Sequence, residues 1–241
     1  MVEITNVCIG IQARTNSRRF PRKAFALLDG QPLLSHVIGS CKRAARFVNR
    51  HTGKTGVHVS IALLVPFGDE IKDKFRHLAS VIEGPEEDVL ARYQAMSDQV
   101  NAQYIVRVTG DCPLISETVI QKCINNAIKD ACDYYSNVEE TCRTWADGMD
   151  CEVISSKLLR YAFDHATEAP DREHVTTFLR REPPEWARCG TFFNDAFDQA
   201  HFKFSVDTPE DLERVREEFE KIKKKRQAAQ EKFGKQLVHR F

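Results

Sequence analysis

V-C-I-G-I-Q at 7–12 runs without a break into A-R-T-N-S-R-R-F-P-R-K at 13–23. A short apolar run that ends in a polar segment is how a buried parallel strand reads where it opens into a loop. Downstream, Leu33, Leu34, Val37, Ile38, Cys41, Ala44 and Ala45 recur at helical spacing, and V-H-V-S-I-A-L-L-V at 57–65 is a β-branched strand preceded by glycines. A helix therefore crosses between two strands. The alternation continues with helices predicted over 69–78, 86–100 and 117–130, and strands over 80–82 and 104–108. Strands alternating with helices imply an α/β fold around a mostly parallel central sheet, whose ligands sit beyond the carboxyl ends of the strands.

After Asp133 the rhythm changes. Strands are expected around Tyr134 and Glu152, helices over 156–166 and 172–181, and a strand over 188–192. The segment 133–195 reads as an excursion that completes the substrate side of one domain spanning 1–241. A strand over 203–206 follows, and Thr208 as N-cap with Pro209 at the first helical position opens a long helix. The chain ends in a basic tail, 226–241; between Lys221 and Arg240 there are eight Lys or Arg and one acid. It is either a solvated tail or a polyanion-binding arm.

With 241 residues, 42% of them hydrophobic, the chain can bury one sizeable core, and 35 basic residues balance 35 acidic ones. No global field draws it to nucleic acid or to an anionic membrane surface. No apolar window of membrane-spanning length and no signal peptide is present in the sequence, so a cytoplasmic protein is expected. The eight cysteines include no C-x-x-C pair and read as reduced, buried thiols.

Three segments carry candidate chemistry. The first loop packs Arg14, Arg18, Arg19, Arg22 and Lys23 into ten residues directly after a strand, where guanidinium forks and backbone N–H groups can wrap a polyphosphate. The second, V-R-V-T-G-D-C-P-L at 106–114, ends a strand on Gly110 and Asp111. A strand-end carboxylate can hold a divalent ion against phosphates, or merely cap a turn. The third, F-S-V-D-T-P-E-D-L at 204–212, places Asp207 at another strand end, where serving the following helix N-terminus is an equal alternative. Two motifs mislead. T-G-K-T at 52–55 resembles the end of a Walker A loop, but Val48 stands where its first glycine is required and a helix precedes it. No G-x-G-x-x-G follows the first strand, so the dinucleotide fingerprint is missing.

Together with G-P-E-E-D-V-L-A-R-Y (84–93), D-Y-Y-S-N (133–137), D-G-M-D-C-E-V (147–153) and D-R-E-H-V-T (171–176), these segments resemble the cytidylyltransferase family of KDO and sialic-acid CMP-sugar synthetases, most closely the branch that contains spore-coat polysaccharide biosynthesis protein F. The resemblance covers nearly the whole chain. It implies a GT-A-like, Rossmann-like three-layer α/β sandwich that couples CTP to an acidic sugar and releases pyrophosphate, with Mg2+ as cofactor and a homodimer as the assembly. By position, Gln12, Ala13, Arg14, Ser17, Arg19 and Lys23 would line the nucleotide, with Asp88, Arg92 and Thr109 nearby. Asp111 and Asp207 would bind the metal, and with Arg14 and Lys23 form the catalytic set.

Arg143, Arg172 and His174 are candidate donors to the acceptor's carboxylate. For His174 a structural role at a helix start is the alternative. Asp147, Asp150 and Glu152 could bind sugar hydroxyls or a second metal, or form an acidic turn. The chain departs from the family pattern at Arg22, where glycine usually precedes the lysine, and at Asn16, where a small residue is common. Other readings are a nucleotidyltransferase acting on a different anionic acceptor, a GT-A glycosyltransferase, or a nucleotide-binding relative without chemistry.

Overall fold

A computed structural model describes residues 4–51, 56–138, 141–195 and 198–238. T-G-K-T and most side chains of the 226–241 tail fall outside the described residues. The elements run β1 (Thr5–Gln12), a 3-10 turn (Lys23–Phe25), a small ribbon of β2 (Leu27–Leu28) and β3 (Gln31–Pro32), α1 (Leu33–Asn49), β4 (Val57–Pro66), α2 (Ile71–Phe75) and β5 (Ser80–Gly84). They continue with α3 (Val89–Val100), β6 (Tyr104–Thr109), α4 (Glu117–Lys129), β7 (Tyr134–Ser136), β8 (Glu152–Ser155), α5 (Ser156–His165), α6 (Ala169–His174), α7 (Thr177–Arg181), β9 (Cys189–Thr191) and α8 (Pro209–Val238).

Seven strands form one sheet in the order β5-β4-β1-β6-β8-β7-β9. Only β8 runs antiparallel to its neighbours. β1 lies between β4 and β6 and pairs in parallel with both. The chain builds outward from β1 to β4 and β5, then returns to place β6 on the other side, so the carboxyl ends of β1 and β6 bound a topological switch point.

β1 is buried on both faces. Val7, Ile9 and Ile11 pack with α1 and α4 in one cluster, and Cys8 packs with α3, α5 and α7 in the other. Gly10 is required between them, because a Cβ there would lie 2.5 Å from the Tyr93 ring, whose hydroxyl donates to the Gly10 carbonyl at 2.9 Å. α1 forms because Leu34, Val37, Ile38, Cys41, Ala44, Ala45 and Val48 fall on one buried face. Each large aliphatic side chain buried this way contributes about 1.5–3 kcal/mol.

Caps set the helix starts. Asp88 accepts from the Ala91 amide at 2.9 Å, Ser155 from Leu158 at 3.1 Å, and Thr208 from Asp211 at 3.3 Å, the last as the sequence predicts. A third cluster seats the start of α8 through Leu212 and Val215 against Leu28, Leu33 and Val206.

Four expectations are corrected. The helix predicted over 69–78 shrinks to α2; the Asp69 carboxylate stays outside it, accepting from the Thr15 amide and hydroxyl at 2.8 and 2.6 Å and from the Ile71 amide at 2.9 Å. The helix predicted over 172–181 is broken between α6 and α7 at Val175, whose φ of 65° and ψ of −53° form a positive-φ γ-turn closed by the Thr176 amide on the His174 carbonyl. The strand predicted over 203–206 is a single bridge between Asp147 and Lys203. All eight cysteines are free, but Cys142 and Cys189 are exposed rather than buried.

Candidate active site

The parallel register sets Gln12 beside Thr109 at the ends of β1 and β6. From these two strand ends the chain enters the basic loop and the turn at Gly110–Asp111. The turn packs tightly on the loop's root: the Gly110 amide donates to the Gln12 carbonyl at 2.8 Å, and a Cβ at 110 would sit 2.9 Å from that oxygen. The loop folds back on itself through Thr15, whose carbonyl accepts from the amides of Ser17 at 3.0 Å and Arg22 at 2.9 Å.

Arg22 is left-handed, with φ 62°, which explains why glycine suits this position. Its guanidinium turns away to pair with Glu70 and to cover the Phe25 ring at 4.9 Å. Arginine at this position therefore puts no side chain into the cleft beside the loop. Lys23, the next residue, points inward. Its ammonium donates to Asp111 Oδ2 at 2.7 Å, to the Val206 carbonyl at 2.8 Å and to Asp207 Oδ1 at 3.3 Å.

The alternative for Asp207 resolves in the geometry. Asp211, buried, accepts from the amides of Asp207 at 2.9 Å and Thr208 at 3.1 Å. The helix start is thus served by Asp211 and Thr208, and the Asp207 carboxylate is left to face Lys23, Arg19 at 3.0 Å and Lys203 at 3.1 Å.

A cleft of about 650 Å³ opens over this centre. Of the residues singled out by sequence, Gln12, Ala13, Arg14, Ser17, Arg19, Lys23, Arg92, Thr109, Asp111, Asp147, Asp150, His174 and Asp207 line it, as does Arg18. Four lie outside it. Asp88 caps α3 and pairs with Arg172 at 2.7 Å. Arg172 also donates to the carbonyls of Phe163 and Ala166, and Arg143 is consumed by Asp150 and the carbonyls of Trp145 and Ala146. Glu152 is buried beneath the cleft against Arg107 and the Tyr134 hydroxyl.

Sequence reading missed Arg107, Glu87, Glu173 and Ser205, which also line the cleft. Glu173 meets Arg14 at 3.2 Å, joining α6 to the basic loop. Ser205 donates to Asp147 Oδ2 at 2.8 Å. The one available signal was Arg107, a charge inside an otherwise apolar strand.

The electrostatics divide the cleft. Burial pushes the Asp111 carboxyl up, but Lys23 and the Thr109 hydroxyl outweigh it and hold the group below its ordinary value, so it is ionised. Asp150 is the opposite case. Burial dominates its Arg143 partner and raises its carboxyl to about 6. Arg92 is 2% exposed and has no carboxylate partner among the described residues; its Nε lacks any hydrogen bond. Its terminal nitrogens donate instead to the backbone carbonyls of Leu64 at 3.0 Å, Glu86 at 3.4 Å and Ala13 at 3.5 Å, which ties the base of the cleft together.

No group of three or more His, Cys, Asp or Glu residues among those described could hold a metal ion. The two carboxylates of Asp111 and Asp207 nevertheless share one cation, the Lys23 ammonium. Two hard-oxygen ligands completed by phosphate oxygens suffice for magnesium, so the residues present fit that ion.

A cytidylyltransferase family model matches residues 7–237. The chain is 29% identical over 176 residues to the uncharacterized protein MJ1063 of Methanocaldococcus jannaschii, covering 72% of this chain and 66% of that one. It is 26% identical over 218 residues to the spore coat polysaccharide biosynthesis protein SpsF of Bacillus subtilis, covering 88% and 85%. It is also 26% identical over 149 residues to the 3-deoxy-manno-octulosonate cytidylyltransferase of Pelobacter propionicus, covering 62% of this chain but only 55% of that enzyme. Among solved structures, a cytidylyltransferase from Leptospira borgpetersenii superposes with a TM-score of 0.75 at 25% identity, covering 88% of this chain and 85% of that one.

Proposed function

The chain belongs to the cytidylyltransferase family, and from that premise we propose that it transfers CMP from CTP to an acidic sugar, a nonulosonic or KDO-like acid, with release of pyrophosphate, in the synthesis of a surface polysaccharide or glycan. The observation that carries this reading is the placement of Lys23 between Asp111 and Asp207 under a loop bearing Arg14, Arg18 and Arg19.

In this reading a hydroxyl of the acceptor attacks the α-phosphorus in line. The new O–P bond forms as the bond from the α-phosphorus to the oxygen bridging to the β-phosphate breaks, that oxygen leaves with pyrophosphate and the hydroxyl proton passes to solvent, so the step depends on positioning and charge neutralisation. Mg2+, held by Asp111 and Asp207, would neutralise phosphate charge. Arg14, Arg19 and Lys23 offset the charge that grows on departing pyrophosphate. Because Arg143 and Arg172 are committed elsewhere, His174 is the acceptor-side donor that faces the cleft, and Asp147 and Asp150 serve sugar hydroxyls. Arg22, turned outward to Glu70, gives no support to a relative that has lost its chemistry.

Two copies would pair through the 133–195 region, where Trp186 is 42% exposed and packs edge-on against Tyr161. No described helix is long and apolar enough to cross a membrane. The test is pyrophosphate release with magnesium and each of CTP, UTP, ATP and GTP against a panel of acidic sugars. Release with CTP and one acid supports the proposal. Turnover that prefers UTP, or release with no pair, contradicts it.

A further inference from the structure

Arg107 stands in the middle of the V-R-V run of β6, and its side chain is only 14% exposed. One guanidinium nitrogen is paired with Glu152, 3% exposed, whose other oxygen accepts from the Tyr134 hydroxyl at 2.6 Å. A buried pair of this kind has a fixed geometry, because either partner alone would be an uncompensated charge. The Nε of the same guanidinium donates to Gln12 Oε1 at 3.1 Å.

A glutamine amide has one accepting oxygen and one donating nitrogen. With five donors and no acceptor, Arg107 can meet only the oxygen, so the flip of the Gln12 amide is decided. Its NH2 has no protein partner among the described residues, and Gln12 lines the cleft one residue before the phosphate loop begins.

We propose that Arg107 is a positioning residue for nucleotide selection: held by Glu152 and Tyr134, it locks Gln12 as a donor to ring position N3 of the base. Cytosine and uracil both offer O2 as an acceptor, but only cytosine has a lone pair at N3, where uracil carries a hydrogen. A donor at N3 therefore selects CTP against UTP. The inference rests on reading the cleft as the nucleotide site.

The test is calorimetric binding of CTP and of UTP to wild type, Gln12→Met and Arg107→Lys, with thermal unfolding of each. Gln12→Met removes the donor at similar volume and leaves the Arg107–Glu152 pair in place. Arg107→Lys keeps the charge opposite Glu152 but lacks the planar fork that fixes the amide. Wild type is expected to prefer CTP at least tenfold, and both variants to lower that ratio at least fivefold while still folded. A merely structural role for Arg107 would lower the melting temperature and leave the ratio unchanged.

A ratio within twofold of wild type in folded Gln12→Met overturns the inference, and this variant alone decides if Arg107→Lys does not fold. Wild type that binds CTP without preferring it over UTP overturns it too. Wild type that binds neither nucleotide overturns the reading of the cleft itself and takes this inference with it.

Discussion

The Lys23 ammonium lies 2.7 Å from Asp111 Oδ2 although 88 residues separate them in sequence. It holds together two carboxylates delivered by the middle and the C-terminal part of the chain, since Asp207 is its second acidic partner. Lys23→Met takes from Asp111 its basic partner, while Asp207 keeps Arg19 and Lys203, and in the proposed reaction it removes one charge opposed to the leaving group. Losing one preorganised electrostatic contact of this kind costs about 3 kcal/mol in the transition state. The expected result is a fall in kcat of about two to three orders of magnitude, measured by pyrophosphate release on protein shown to be folded by circular dichroism.

Arg22→Gly tests whether the unusual residue in the loop matters. Left-handed backbone at a non-glycine residue costs about 1 kcal/mol, and its relief is offset by the lost, largely exposed Glu70 pair and by the greater freedom of glycine in the unfolded chain. Stability should change by less than about 1 kcal/mol in urea denaturation, and kcat/KM for CTP should stay within about threefold of wild type, because the side chain never enters the cleft. A larger loss of activity would show that Arg22 contacts the nucleotide.

Asp150 gives a signed pH dependence. Burial raises its carboxyl in the folded chain to about 6 from an ordinary value of 3.8. Between about pH 4 and 6 the folded state therefore binds more protons than the unfolded state, and stability falls as pH rises through that window. Asp150→Asn removes this slope. Because the side chain keeps 30% of its surface exposed, the effect is discounted for solvent screening. The variant should match wild type near pH 4 and exceed it by about 1 kcal/mol at pH 7, read from urea midpoints across that range. A gap independent of pH would contradict the raised carboxyl.

Much of the fold was legible because it is written in apolar periodicity. β1, α1, β4, α3 and α4 bury side chains at the spacing their sequences display, and Thr208 and Pro209 announce α8 by local cap chemistry. What sequence could not show was tertiary competition. Asp69 serves the start of a shortened helix at the Ile71 amide while it also binds Thr15 across 54 residues, and Val175 broke a helix at E-H-V-T, a stretch with neither glycine nor proline. The strand expected before Asp207 found only one bridging partner.

The site divides in the same way. Strand-end position and clustered charge were enough to single out Arg14, Lys23, Asp111 and Asp207, which the fold brings into one cleft. Arg143 and Arg172 looked equally suited to bind a carboxylate. Their actual partners, Asp150 and Asp88, could be chosen only in three dimensions, since any acid in the sequence could have met either. Arg107 was passed over for a related reason. A lone arginine in an apolar strand does not reveal whether it faces solvent or a buried glutamate.

The most direct test of the account is a comparison of wild type with Asp111→Asn, in which CTP affinity by calorimetry and single-turnover CMP transfer are measured on the same preparations. In the proposed reaction phosphate binding would be shared among Arg14, Arg18, Arg19 and Lys23, whereas Asp111 would anchor the charge balance at the reacting phosphorus. The account predicts CTP affinity within about fivefold of wild type and a transfer rate at least about a hundredfold lower. Transfer that survives the substitution, or a loss confined to CTP affinity, would contradict the assignment of Asp111 to the chemical step.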